Sequence, residues 1–155
     1  LRIIDKTGPL ANYADRDHCI QYMVAVPLLF GRLTAQDYTD AVAIDPRIDA
    51  LRGRTVVMEN PRFTQEYFDP DKRYIGNSVQ VFFKDGASTP EVSIDYPIGH
   101  RRRRDEGMPV LMRKFENAIA SKLAEIQART LMTLASSPGG FDAMPITQFM
   151  SLFKK

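Results

Sequence analysis

The sequence predicts an α+β fold: a small antiparallel sheet of three to four strands with helices packed on one side, followed by C-terminal helices. Three observations predict it. In the first two thirds of the chain, apolar residues change repeatedly between helical spacing and strict alternation. The strand-like run Ser78–Lys84 is followed by Asp85-Gly86, a hairpin signal, and then by the alternating run Glu91–Tyr96. Beyond Met108 the period is helical throughout. The change of period divides the chain into a mixed unit, 1–104, and a helical remainder, 105–155.

The elements follow in order. Leu1–Asp5 reads as a strand from its Ile pair, and Thr7–Asp15 as a loop marked by Gly8-Pro9 and Asn12. Asp15–Gly31 reads as one helix, with Asp15 as its N-cap and Gly31 as its stop. Pro27 removes one backbone bond inside it. Thr34–Val42 is expected to be helical, with Asp37 three residues after Thr34 in a pattern close to a capping box. Asp45-Pro46 opens a further short helix, with Ile48 and Leu51 facing inward and Gly53 ending it. Thr55–Glu59 is β-branched and reads as a strand, and Asn60–Phe68 as a turn or short helix.

In Ser78–Lys84, Val79, Val81 and Phe83 share one face; in Glu91–Tyr96, Val92, Ile94 and Tyr96 do. The run His100–Gly107 (HRRRRDEG) interrupts this alternation. After it Val110, Leu111, Phe115, Ile119, Leu123, Ile126, Leu131 and Leu134 outline an apolar stripe. Ser137-Pro138-Gly139-Gly140 ends the run, and Pro145–Phe153 reads as a last short helix. The four methionines Met108, Met112, Met132 and Met144 are read as packing residues.

Composition bounds what the chain can do. It has 155 residues, 44% hydrophobic and 26% charged, as in an ordinary globular domain. No apolar run reaches the ~20 residues needed to span a bilayer. The net charge of +2 is too small to argue by itself for nucleic acid, and no nucleic-acid partner is expected. Cys19 is the single cysteine, so there is no internal disulfide and no thiolate set for an iron–sulfur cluster. It adjoins apolar helix residues and reads as a buried structural thiol. The chain begins at Leu1, inside an expected strand, and so reads as a fragment of a longer protein.

Two constellations carry chemistry. Helical spacing puts His18 and Tyr22 one turn apart, with Gln21 beside them. His and Tyr are side chains suited to proton transfer. The run Arg101–Arg104 reads in three ways: a solvated basic turn answered by Asp105 and Glu106, a phosphate-binding patch, or a site for a small polycarboxylate. Arginine's planar fork matches a carboxylate and stays charged at any working pH. Four consecutive arginines cannot all point to one site. His100 with Arg101 and Arg102 is the set expected to face a cleft. No CxxC or HxxxH spacing suggests a metal, and none is expected.

The string ADRDHCIQYMVAVPLLFGRLTAQDY resembles the second half of the MmgE/PrpD family, and is close to its branch that dehydrates 2-methylcitrate. The likeness continues through EYFDP, YPIGHRRRRDEG and MPITQFMSLF, and covers essentially the whole chain. DRDHCIQYM and GHRRRR are specific to the branch; the alternating strands between them are not. Members are about three times this length. The resemblance implies a large helical domain built from both chain ends, with an α+β lid inserted between them. Residues 1–104 would then be lid-like, and 105–155 would complete the helical domain. On that architecture Phe115, Ile119, Leu123 and Leu131 are expected to lack their native neighbours here.

The implied activity is a cofactor-independent hydro-lyase reaction, 2-methylcitrate to 2-methyl-cis-aconitate, in propionate breakdown through the methylcitrate cycle. Citrate would be a secondary substrate. A tyrosine at the position of Tyr22 lines the cleft in related members, beside acidic, histidine and lysine residues from the helical domain. Tyr22 and His18 are accordingly the expected catalytic residues; Gln21, His100, Arg101 and Arg102 are expected to bind a tricarboxylate. The full-length protein is expected to be a homodimer, cytoplasmic in bacteria or in the mitochondrial matrix of eukaryotes, and the fragment to be inactive alone. The rivals are another reaction of the family, such as decarboxylation of cis-aconitate, and a non-enzymatic basic binding module.

Overall fold

The computed structural model describes residues 3–154. The chain packs as two compact units, Leu1–Lys72 and Arg73–Lys155. That division concerns packing within this chain. Membership of 1–104 and 105–155 in two domains of a longer protein is a separate property.

In the first unit, helix α1 (Tyr13–Asp17) begins at Asn12, whose side chain accepts the Asp15 N–H at 2.9 Å. Helix α2 (Ile20–Phe30) ends at Gly31, which adopts left-handed φ of 68° and returns its N–H to Pro27. The single helix expected over Asp15–Gly31 is therefore two, and its cap is Asn12 rather than Asp15. The cause is a tertiary bond. The chain turns at His18–Cys19, and the Ile20 N–H reaches the Ile4 carbonyl at 2.9 Å. The turn also sinks Cys19 fully into the core.

After Gly31 come a 3₁₀ turn (Ala35–Tyr38) and helix α3 (Asp40–Ala43), filling the stretch expected to be helical. Helix α4 (Pro46–Arg52) starts as its sequence indicates: Asp45 caps the Arg47 N–H at 2.9 Å, and Pro46 takes the first helical position. Cys19, Tyr22, Ala25 and Val26 form the buried side of α2 and meet Ile48 of α4, with Leu10, Tyr38 and Leu51 closing the cluster. Burying each large apolar member stabilises the unit by about 1.5–3 kcal/mol before entropy is subtracted. Helix α5 (Pro61–Phe68) repeats the α4 device, with Asn60 as cap and Pro61 first.

Two expected strands do not form here. Thr55–Glu59 has no regular structure, and Val56 and Met58 are exposed. A β-branched run becomes a strand only against a partner edge. Of the expected strand Leu1–Asp5, Leu1 and Arg2 lie outside the described residues, while Ile3 and Ile4 form a turn.

In the second unit, strand β1 (Asn77–Val79) pairs antiparallel with β2 (Val92–Ile94), in the register Asn77 to Ile94 and Val79 to Val92. A further bridge joins Phe82 and Ser88 across the Asp85-Gly86 turn, where Gly86 has φ 89°. The hairpin lies where the sequence puts it. The α+β class holds, with two strands among the described residues rather than three or four. A 3₁₀ turn (Arg101–Arg103) leads into helix α6 (Arg104–Ala120), followed by α7 (Glu125–Ser136) and α8 (Ile146–Ser151).

Helices α6 and α7 pack together and bury Ile119 and Leu131. Phe115 and Leu123 are half-buried. Met108, Val110 and Leu111 of α6 and Ile126 of α7 are exposed. Among the described residues no helix is long and apolar enough to cross a membrane.

Candidate active site

Tyr22 stands in the first turn of α2 and is 2% exposed. Its hydroxyl donates to the Asp37 carbonyl oxygen at 2.7 Å. Its ring stacks on Tyr38, which in turn meets Tyr13. Burial pushes the Tyr22 phenol up, against the opposing pull of the Arg16 and Arg52 charges. The phenol is thus held in its protonated form, and it donates to Asp37.

Asp37 is fully buried at the same spot. Its Oδ2 accepts the Thr34 N–H at 2.8 Å and the Thr34 hydroxyl at 2.7 Å, while Oδ1 meets Arg32 at 3.0 Å. This is the Thr34/Asp37 pairing that the capping pattern indicated. Burial works to raise the Asp37 carboxyl. The Thr34 hydrogen bonds and the Arg32 guanidinium outweigh it and hold the group below the usual carboxylate range.

Gln21 is buried beside Tyr22, on a different errand. Its amide donates to Asp5 at 2.5 Å, and its carbonyl accepts the Cys19 thiol at 3.4 Å. His18, at the end of α1, has an exposed side chain with Nδ1 2.5 Å from the Asp17 carboxylate. That contact engages Nδ1 rather than Nε2.

A hollow of about 390 Å³ opens next to Tyr22, lined also by Leu10, Arg16, Asp40, Asp49 and Arg52. Arg16 is buried; its Nη1 reaches the Tyr38 carbonyl at 2.8 Å and Asp40 at 2.7 Å, and its Nη2 the Leu10 carbonyl at 3.5 Å. Arg52 pairs with Asp49 and donates to the carbonyls of Gly8 at 2.9 Å and Lys6 at 3.4 Å. The two arginines thus pin the 6–10 loop over the hollow. His18 is not among its lining residues.

The second cluster belongs to the other unit. His100 Nδ1 accepts the Arg102 N–H at 3.2 Å, which puts the ring proton on Nε2. The His100 ring stacks on Tyr96 at 4.9 Å, Tyr96 meets Tyr74 edge-on, and the Arg102 guanidinium lies 5.0 Å from the Tyr74 ring centre. Arg103 turns to Glu106 at 2.9 Å, and Arg101 is exposed. The basic turn therefore spends one of its arginines on an acidic neighbour and rests a second on an aromatic shelf.

Sequence reasoning missed Arg16, Arg52 and the buried carboxylate of Asp37 as neighbours of Tyr22. No local signal marks a buried arginine. Arg16 is covered by Tyr38 and Leu10, and Arg52 by the loop at Gly8, contacts that arise only on folding. Among the described residues no group of three His, Cys, Asp or Glu side chains is placed to hold a metal.

Comparison with known proteins gives a consistent picture. Residues 1–137 match the MmgE/PrpD C-terminal domain. The chain is 54% identical over its whole length to 29% of the mitochondrial 2-methylcitrate dehydratase of Yarrowia lipolytica. It is 53% identical, over 99% of its length, to 32% of the 2-methylcitrate dehydratase of Salmonella typhimurium. Against the 2-methylcitrate dehydratase of Escherichia coli the identity is 50%, with the same coverage of each chain. The chain thus spans about a third of the length of the curated relatives it matches.

Proposed function

Because this chain belongs to the MmgE/PrpD family, we propose that it acts as part of a hydro-lyase that dehydrates 2-methylcitrate to 2-methyl-cis-aconitate, and citrate more slowly. The observation that carries the reading is identity of 50–54% along the chain to bacterial and yeast proteins of that name. The reading places the enzyme in propionate breakdown, without a cofactor, as a homodimer. Its compartment would be the cytoplasm in a bacterium and the mitochondrial matrix in a eukaryote; the Yarrowia relative is named as mitochondrial. Residues 105–155 would complete a helical domain of the whole enzyme, and 1–104 its α+β lid.

The reaction needs a base to take the proton from the methyl-bearing carbon, next to a carboxylate. It needs an acid to protonate the departing hydroxyl on the neighbouring carbon. The C–H and C–O bonds break, the C=C bond forms, and water leaves. Cations must hold the carboxylates while charge develops.

Tyr22 suits the acid, since burial keeps its phenol protonated. To serve, its hydroxyl must exchange the Asp37 carbonyl for the substrate hydroxyl. His18 suits proton transfer through Nε2, with Asp17 engaging Nδ1. Gln21, Arg101, Arg102 and the Nε2–H of His100 are assigned to substrate binding; Gln21 must release Asp5 to do so. Arginine's paired donors fit a carboxylate better than a lysine would.

The test is direct. The full-length enzyme is given 2-methylcitrate, and the ultraviolet absorbance of the conjugated product is followed beside product analysis. Appearance of 2-methyl-cis-aconitate, with slower turnover of citrate, is expected. Carbon dioxide release from cis-aconitate with no dehydration would replace this reading with the decarboxylase one. Steeply salt-dependent binding to nucleic acid, without turnover, would replace it with the binding module.

A further inference from the structure

The β1–β2 hairpin brings two tyrosines together at its open end. Tyr74 precedes β1 and Tyr96 follows β2, with the Asn77–Ile94 pair between them, and their rings meet edge-on at 5.3 Å. Both are half-buried, and from Tyr96 the chain runs straight into the basic turn. Each ring then carries one side chain of that turn. The His100 ring lies on Tyr96 at 4.9 Å with 26° between the planes. The Arg102 guanidinium lies over Tyr74.

The backbone of the turn has its own bonds. The His100 N–H reaches the Pro97 carbonyl at 2.9 Å, and the Arg103 N–H the His100 carbonyl at 2.9 Å. The Arg103 guanidinium joins the Tyr96 carbonyl at 3.4 Å to Glu106 at 2.9 Å. Gly107 sits against the Ile98 carbonyl, with no room for a Cβ between them. What the two rings add is direction for side chains. Arg102 is exposed, and an arginine on an exposed turn samples many rotamers. Every such side chain that a ligand must immobilise subtracts from binding. A ring stack and a cation–π contact restrict His100 and Arg102 beforehand.

We propose that Tyr96 and Tyr74 are positioning residues for substrate binding: Tyr96 holds the His100 imidazole, and Tyr74 the Arg102 guanidinium, in the orientation that receives a carboxylate. The inference rests on the reading that His100 and Arg102 meet the substrate, and it names the residues through which the hairpin sets their aim. Neither tyrosine has to touch the substrate. Both act through the side chain they carry, so the effect of removing either ring depends on the presence of that side chain.

The experiment uses the whole enzyme, with steady-state kinetics on 2-methylcitrate and calorimetric binding of tricarballylate (propane-1,2,3-tricarboxylate), which lacks the hydroxyl and cannot be dehydrated. Tyr96→Leu and Tyr74→Leu should each raise KM and the tricarballylate Kd about three- to tenfold, the worth of one side chain held in advance, with kcat little changed. Tyr96→Phe keeps the ring and should bind like wild type. Circular dichroism checks the fold, and methionine replaces leucine at a position where the leucine variant does not fold. Double-mutant cycles decide the role. Tyr96→Leu should add nothing once His100 is replaced by alanine, and Tyr74→Leu nothing once Arg102 is. Folded variants without the ring that bind normally would overturn the inference, as would losses that add in full to those of the alanine variants, the mark of a merely structural role. Normal binding by both His100→Ala and Arg102→Ala would overturn the reading on which it rests. The calorimetric cycles need no turnover, so they hold or fail even in an enzyme that dehydrates nothing.

Discussion

The Tyr22 hydroxyl donates to the Asp37 carbonyl at 2.7 Å, tying the first turn of α2 to the 3₁₀ turn beyond Gly31. One hydrogen bond thus joins the proposed proton donor to the segment that would have to move for it to act. Replacing Tyr22 by Phe deletes that bond and little else. The change should cost about 1–3 kcal/mol, because the Asp37 carbonyl is left buried and unpaired. In the full-length enzyme turnover should fall by roughly 10²–10⁴-fold, the usual worth of a positioned acid or base. Circular dichroism and steady-state kinetics check both parts. Wild-type turnover in folded Tyr22→Phe protein would remove the residue from the mechanism.

Asp37 sets an acid limit on stability. Its carboxyl is depressed in the folded state despite burial, so it binds protons less readily there than in the unfolded chain. Its contribution is present above the unfolded value of about 3.9 and is lost as pH falls through the folded one. Asp37→Asn should be destabilised by roughly 1–3 kcal/mol at neutral pH, through loss of the Arg32 ion pair and of the charge that strengthens the Thr34 bonds. The gap between wild type and variant should close below about pH 4. Urea midpoints measured across that range test it; a gap that stays constant in acid would show that Asp37 titrates normally.

Gly107 should not tolerate a side chain. A Cβ there would lie 2.5 Å from the Ile98 carbonyl oxygen, a backbone atom that cannot swing aside. Gly107→Ala is expected to cost about 1–3 kcal/mol by overpacking, outweighing Ala's better helix propensity. Thermal unfolding reads the cost. An unchanged or raised melting temperature would mean that α6 and the Ile98 segment separate easily.

Full-length enzyme kept in air with a strong chelator should retain its dehydratase activity. The motive is Cys19, alone in the chain and buried, which leaves no thiolate set for a cluster. Activity lost on chelation and restored by iron or another divalent metal would place a metal in the reaction.

The parts of the fold that the sequence made legible are those written in neighbouring residues. Asp45-Pro46 and Asn60-Pro61 each start a helix because cap and first helical residue are adjacent. The Thr34/Asp37 pairing and the Asp85-Gly86 turn are equally local. The break at His18–Cys19 was not legible, because it follows from the bond between Ile20 and Ile4. Thr55–Glu59 has strand composition and lacks an edge to join. At the candidate site the string DRDHCIQYM pointed to the family and to Tyr22. It concealed Arg16, which reads as a surface charge until Tyr38 and Leu10 close over it.

Cys19 also supplies a clock. Its sulfur lies under the Lys6 carbonyl at 3.4 Å, fully covered, and the 6–10 stretch that covers it hangs on Arg16 and Arg52. A thiol reagent can reach it only when that cover lifts. Where closing outpaces labelling, the observed rate equals the intrinsic rate multiplied by the equilibrium fraction open. A single unmodified cysteine therefore reports, in one rate constant, how often the wall beside Tyr22 comes away. Labelling at the rate of a free thiol in native buffer would mean that the cover is open most of the time.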